Sequence, residues 1–311
     1  MLQICPRRQQ LLNCRGHALV LGGPGSGKTT IALKKAVTRI REGLAPGQTV
    51  TFLSFSRAAV ARIAEASRIE AEKHQRSLLN VQTFHSFFWE LLRPHAYLLG
   101  TPKKVQILLP HDERALSNGI KEDEALLWPA WMTERHRLCR EDGRICFDLF
   151  APLTATLLET SSHLRQLVTR RCPLLIVDEA QDTNSYAWRC VELLAPDTQV
   201  ICLADLDQQI FDYLPGVGPE RVEAIKAALC PLIIDLGSEN HRSPNAEIVA
   251  FGRDILSAIP RGRPYLGVSK LPYDPKTVDW AKAIRVGIGI LQKHIHKATG
   301  GWAQSIAILL P

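Results

Sequence analysis

Two stretches of this 311-residue sequence carry side chains whose types and spacing could do chemistry. The first is GGPGSGKTT (22–30), which fits G-x-x-x-x-G-K-[ST] with Gly22, Gly27, Lys28 and Thr29 at the defining places. Successive backbone N–H groups of a glycine-rich turn can cradle phosphate oxygens, and a helix opening directly after the turn adds partial positive charge. The expected phosphate-binding residues are therefore Gly22, Gly23, Pro24, Gly25, Ser26, Gly27, Lys28, Thr29 and Thr30. In that role Lys28, expected to be an exposed cation, reaches the β- and γ-phosphates of ATP, and the Thr29 hydroxyl ligates Mg²⁺.

The second stretch is LLIVDEAQDT (174–183), an apolar run that ends in two adjacent carboxylates. A strand ending this way delivers Asp178 and Glu179 to its C-terminal end, where α/β sheets bind ligands. Asp178 would hold Mg²⁺, directly or through water. Glu179 would orient and deprotonate the attacking water, as a general base must.

These residues need strands and helices to position them. HALVLGG (17–23), TVTFLSF (49–55) and LLNVQTF (78–84) read as strands, separated by helical patterns at 31–42 and 57–72. The strand rhythm returns in PLLIVDEA (173–180), QVICLAD (199–205) and PLIIDL (231–236). Strands alternating with helices of this length imply an α/β fold, a parallel sheet covered by helices, and the glycine-rich loop makes it of the P-loop NTPase kind. Between them, 87–171 lacks β-branched runs and is rich in Trp, Leu, His and Arg, which predicts a mainly helical insertion. Helices are expected over 244–258 and near 278–297, and a last strand over 305–310. The organisation expected is an α/β nucleotide-binding domain built from 1–86 and 172–236, a helical domain at 87–171, and the start of a second α/β domain at 237–311.

Bulk composition narrows the class without choosing a function. Hydrophobic residues make up 46% of the chain and charged residues 22%, enough to build an ordinary core. No apolar run has the length of a membrane span, which gives the expectation of a cytoplasmic protein with no membrane partner. The eight cysteines are scattered without a C-x-x-C pair, so reduced, partly buried thiols are expected rather than a metal cluster. A net charge of +7 suits a polyanionic partner but does not by itself establish one. The arginines at 135, 137, 140 and 144, and those at 165, 170 and 171, read first as solvated helix faces.

Beyond these two stretches, the order of motifs resembles the UvrD/Rep-type superfamily 1 DNA helicases. DEAQDT is similar to that family's D-E-x-Q-D segment, and SFSRAAVARI (54–63) to its T-F-T-N-K-A-A segment. TFHSFFWELLR (83–93) resembles T-F-H-S with its helix, and GRICFDL (143–149) the F-D-D-L stretch. ADLDQQIFDY (204–213) and NHRS (240–243) resemble G-D-x-x-Q-S-I-Y-x-W and N-Y-R-S. The resemblance implies RecA-like motor domains, one from 1–86 and 172–236 and an incomplete second from 237–311, in an ATP-hydrolysing helicase or translocase on single-stranded DNA, of 3′→5′ polarity. It implies that Gln208 sits near the γ-phosphate, that Arg242 stabilises transition-state charge, and that Gln9 or Gln10 reads the adenine edge. His241 stands where the family has Tyr, with stacking on adenine by a smaller ring as one reading and an ordinary surface turn residue as the other. DNA contacts are implied at Phe55, Ser56, Arg57, Thr83, His85, Phe211 and Tyr213, with core packing as the rival reading for Phe55 and Phe211.

The pattern also departs from the family's. Tyr213-Leu214-Pro215-Gly216 stands where the family has an aromatic followed by Arg-Gly, and Ala204 stands for a glycine. Later family segments find no match before Pro311, so a fragment or shortened form is expected. Three other functions fit the same residues: an ATP-switched single-strand binding module that does not translocate, a motor on RNA, since phosphate and stacking contacts do not register the 2′-hydroxyl, and a nuclease–helicase fusion whose nuclease lies beyond residue 311.

Overall fold

A computed structural model describes residues 4–121, 123–124, 126–206, 217–237, 247–256, 262–268 and 279–302. The chain divides into two compact units at Pro244/Asn245.

In the first unit, helix α1 (Pro6–Asn13) precedes strand β1 (Ala18–Leu21) and helix α2 (Lys28–Arg41). Strand β2 (Val50–Ser54), helices α3 (Arg57–Glu70) and α4 (Lys73–Arg76), strand β3 (Leu79–Thr83) and helix α5 (Phe84–His95) follow. Next come β4 (Gln106–Leu108), α6 (Pro110–Leu116), α7 (Trp128–Asp142), β5 (Arg144–Cys146), α8 (Phe150–Thr160) and α9 (Ser162–Arg171). The unit closes with β6 (Leu174–Val177), α10 (Ser185–Leu194), β7 (Gln199–Ala204), α11 (Pro219–Leu229) and β8 (Leu232–Asp235).

Among the described residues, six strands form one parallel sheet in the order β3-β2-β6-β7-β1-β8. Its inner strands are near-continuous apolar runs because helices cover both faces. Alternation within β6 shows this: Leu174 and Ile176 enter one core with Val20, Ile31, Phe52 and Ile201. Leu175 and Val177 enter the other, with Leu53, Phe84, Leu158, Trp188 and Cys202. The second core runs on without a break into Leu108, Trp131, Leu138 and Ile145 of the 87–171 segment.

That segment is mostly helical, but it also holds a strand pair that the sequence pattern does not show. β4 and β5 pair in parallel, with Ile107 opposite Ile145. Three-residue strands are too short to show alternation, and they form because Leu108 and Ile145 are buried. The arginine cluster there is also not a solvated face throughout. Arg135 is buried, contacts Glu113 at 3.0 Å, pairs with Asp148 and lies 5.9 Å over the Trp128 ring. Burial pushes the Glu113 carboxyl above its usual range, and the Arg135 charge opposes that rise. Arg137 is exposed but already bridged to Glu134 and Glu141. Both side chains are engaged by carboxylates, which speaks against a phosphate-binding patch here.

The second unit contains α12 (Ile248–Leu256) and α13 (Trp280–Thr299). Glu247 accepts bonds from Arg263 and from the Leu266 N–H, and the Tyr265 hydroxyl donates to Asp254 at 2.8 Å. His296 and Trp302 stack with centroids 4.4 Å apart. The strand expected at 305–310 lies outside the described residues. Among the described residues, no helix is long and apolar enough to cross a membrane. All eight cysteines are free.

Candidate active site

Three neighbouring strands carry the chemistry to one edge of the sheet. β6, β7 and β1 lie side by side and parallel, so their C-terminal ends share that edge. β1 runs into the glycine-rich loop, β6 into Asp178 and Glu179, and β7, between them, into Asp205.

The loop needs its glycines at two positions for different reasons. Gly27 adopts φ 86° as the N-cap of α2, a left-handed conformation that side chains disfavour. Gly22 has no room for a Cβ: one built there would lie 2.7 Å from Ser26 Oγ and 3.2 Å from Leu236 Cβ. The loop is tied down from outside by Gly23 N–H donating to the Gly237 carbonyl at 3.3 Å. Helix α2 starts at Lys28 itself, so its N-terminal partial charge faces the loop.

Lys28 is not the exposed cation that the sequence suggested. It is buried, and its ammonium donates to the carbonyls of Gly22 and Gly23 and lies 3.2 Å from Asp205 Oδ2. Asp205 is itself 2% exposed. An arriving phosphate would therefore compete for Lys28 with a carboxylate already in place. Asp205 ends an apolar strand just as Asp178 does, the one signal by which its sequence position could be recognised.

Asp178 is buried, and its N–H donates to the Leu53 carbonyl of β2 at 2.9 Å. Burial, and then the neighbouring Glu179 charge, pushes its carboxyl up to about 7 against the pull of Lys28. Such a group favours a cation that would hold it ionised. Glu179 is half-buried and takes a left-handed backbone, φ 52° and ψ 47°. The turn beyond it is braced by Gly218 N–H donating to the Gln181 carbonyl and by Arg221 Nε donating to the Thr183 carbonyl. The oxygen donors expected for Mg²⁺, the Asp178 carboxylate and the Thr29 hydroxyl, are of the hard type that the ion takes. Among the described residues no cluster of three His, Cys, Asp or Glu side chains suggests a softer metal.

Gln9 and Gln10 are both exposed, and Gln9 Nε2 donates to Asn13 Oδ1 at 3.0 Å within α1. Arg8 and Leu11, three residues apart, take the inner face of α1, which leaves both glutamines on its solvent side. Arg8 is the side chain that reaches the loop, donating from Nη2 to the Ser26 carbonyl at 3.1 Å. Gln208, Phe211, Tyr213, His241 and Arg242 lie outside the described residues.

The remaining candidates gather on the same sheet edge, at β2 and β3. Phe55 is half-buried with its ring 5.0 Å from Phe84, so packing and an accessible face coexist. Ser56 and Thr83 cap α3 and α5, accepting from Ala59 N–H and Ser86 N–H. Arg57 is exposed. The accessible His85 ring meets Phe147 edge-on at 5.7 Å. Burial lowers its pKa, opposed by Asp148, so it offers a ring rather than a charge at neutral pH. Phe147, half-buried beside it, belongs to the same aromatic group and was not singled out from sequence.

Comparison with known proteins gives a consistent picture. The profile of the family described as UvrD/REP helicase N-terminal domain matches residues 6–139 and 129–217. The chain is similar to DNA helicase II of Haemophilus influenzae, at 26% identity over 249 residues, covering 67% of this chain and 34% of that protein. It is similar to ATP-dependent DNA helicase Rep of Escherichia coli, at 23% identity over 281 residues, covering 78% and 42% respectively. The chain thus spans roughly a third to two-fifths of the length of these curated relatives. Among solved structures, the Pif1 helicase of Candida albicans matches with a TM-score of 0.40 at 13% identity, over 81% of this chain and 43% of that one.

Proposed function

Since the chain belongs to the UvrD/REP helicase N-terminal domain family, we propose that it binds Mg·ATP and couples its hydrolysis to movement along single-stranded DNA. The 3′→5′ polarity is taken from the family resemblance. The glycine-rich loop holds the phosphates, Lys28 exchanges Asp205 for phosphate oxygens, and Thr29 and Asp178 hold Mg²⁺. The bound ion would neutralise charge on the β- and γ-phosphates. Glu179 takes the proton of the attacking water, and Gln208 and Arg242 complete the γ-phosphate environment.

One observation carries this reading. Among the described residues, the glycine-rich loop, Asp178 and Glu179 share a single sheet edge with Phe55, Ser56, Arg57, Thr83 and His85, and the two groups adjoin where Asp178 N–H donates to the Leu53 carbonyl. Leu53 lies two residues before Phe55, so the strand end proposed to hold the metal and the proposed stacking surface share a direct backbone contact. Phe55, His85, Phe211 and Tyr213 would supply rings for bases, and Ser56, Arg57 and Thr83 polar contacts to the strand.

Binding of a single-stranded oligonucleotide should weaken as salt rises, with a log–log slope of about −0.7 for each phosphate neutralised. Tyr213→Ala should cost roughly 1–3 kcal/mol of binding if a base stacks there. That slope should stay unchanged, because the ring carries no charge. Fluorescence anisotropy across a salt series measures both quantities. A folded Tyr213→Ala protein that binds as tightly as the parent removes Tyr213 from the stacking surface.

A further inference from the structure

The turn after β6 holds a side chain with no part in the chemistry above. Gln181 is 0% exposed, and both ends of its amide are engaged. Its Oε1 accepts from the Asp205 N–H at 3.1 Å, and its Nε2 donates to Glu179 Oε2 at 3.0 Å. The same nitrogen lies 3.4 Å from Asp182 Oδ2. Asp205 in turn faces Lys28. Contacts therefore run from the phosphate-binding lysine through Asp205 and Gln181 to the carboxylate assigned as general base.

The chemistry of the position singles out an amide. It must accept from a backbone N–H at one end and donate to a carboxylate at the other. A glutamate keeps the first bond and sets a second negative charge against Glu179. A methionine fills a similar volume and makes neither bond. The backbone of Glu179 adds a reason for such a tether, since a left-handed conformation in a residue with a Cβ persists where its surroundings over-determine it.

We propose that Gln181 is a positioning residue that fixes the Glu179 carboxylate relative to Lys28, so that water and γ-phosphate are presented in register. The inference rests on the assignment of Glu179 as the base. Gln181 acts through that carboxylate and not on the nucleotide.

The test is a double-mutant cycle in the 311-residue chain. It uses Gln181→Met and Gln181→Glu, each alone and combined with Glu179→Gln. Single-turnover ATP hydrolysis and affinity for a fluorescent ATP analogue are the readouts. Each single Gln181 variant should lose about tenfold to a hundredfold in hydrolysis rate, the scale of a misplaced reacting group, with nucleotide affinity essentially kept. In the Glu179→Gln background neither should slow hydrolysis further, since the group being positioned is gone. Additive loss in that background, or an affinity loss that matches the rate loss, overturns the proposal. So does unfolding of both variants by circular dichroism, which would make Gln181 a residue that merely holds the turn. Parental hydrolysis by Glu179→Gln alone would instead remove the general-base assignment, a separate result.

Discussion

Glu179→Gln should bind nucleotide as the parent does and turn it over about two to four orders of magnitude more slowly, the usual cost of removing a general base. The structure separates the two quantities. On the proposed reading binding rests on the glycine-rich loop, Lys28 and Asp178, all of which the substitution leaves in place, and removing the Glu179 charge only eases the ionisation of Asp178. The amide keeps the shape of the carboxylate but cannot take a proton from water at neutral pH. It can still meet Gln181 through its oxygen, so the turn should hold its geometry. Isothermal titration with ATP and a stopped assay for released phosphate measure the two quantities separately. Lost affinity with intact hydrolysis would assign Glu179 to binding and leave the base elsewhere.

Lys28→Ala should remove most hydrolysis, and it should also destabilise the fold. A lysine on an open loop could be cut back with little structural effect. Here the substitution takes away the ammonium that a buried carboxylate faces. Breaking a buried pair from one side costs up to about 3–5 kcal/mol. Adding Asp205→Asn to Lys28→Ala should recover much of that stability and none of the activity, since it removes the buried charge and restores no cation for phosphate. Urea unfolding with phosphate release on the same preparations checks both halves. A Lys28→Ala protein as stable as the parent would mean that the Asp205 pairing carries little energy. One that hydrolyses ATP normally would mean that the loop does not hold the γ-phosphate through Lys28.

What could be read from the sequence, and what could not, follows the range of the interactions. The β1, β2, β3, β6, β7 and β8 strands and the helix after the glycine-rich loop are each specified by a dozen or fewer consecutive residues, and they fall where periodicity places them. The carboxylates of 178 and 179 are legible for the same reason, as the end of an apolar run. Lys28 and Asp205 are 177 residues apart, and no local pattern pairs them. The same holds for Arg135, whose acidic partners lie on either side of it at 113 and 148. Gln181 sits inside a motif that sequence reading notices for its carboxylates, but its bond to Asp205 exists only once β6 and β7 are neighbours. Helix α1 is not legible in the sequence pattern, since eight residues give too short an apolar periodicity to mark it, and Arg8 takes its inner face only against the glycine-rich loop.

On the proposed reading, nucleotide chemistry at the β6–β7–β1 edge answers to a nucleic-acid strand held at the β3–β2 edge. Steady-state ATP hydrolysis by the 311-residue chain, with Mg²⁺ and increasing single-stranded oligonucleotide, tests it directly. The rate should rise with oligonucleotide and saturate at the concentration at which anisotropy shows the strand bound. A rate that stays flat while the strand demonstrably binds would contradict the coupling, and the chain would then be a nucleic-acid binder whose nucleotide site works independently.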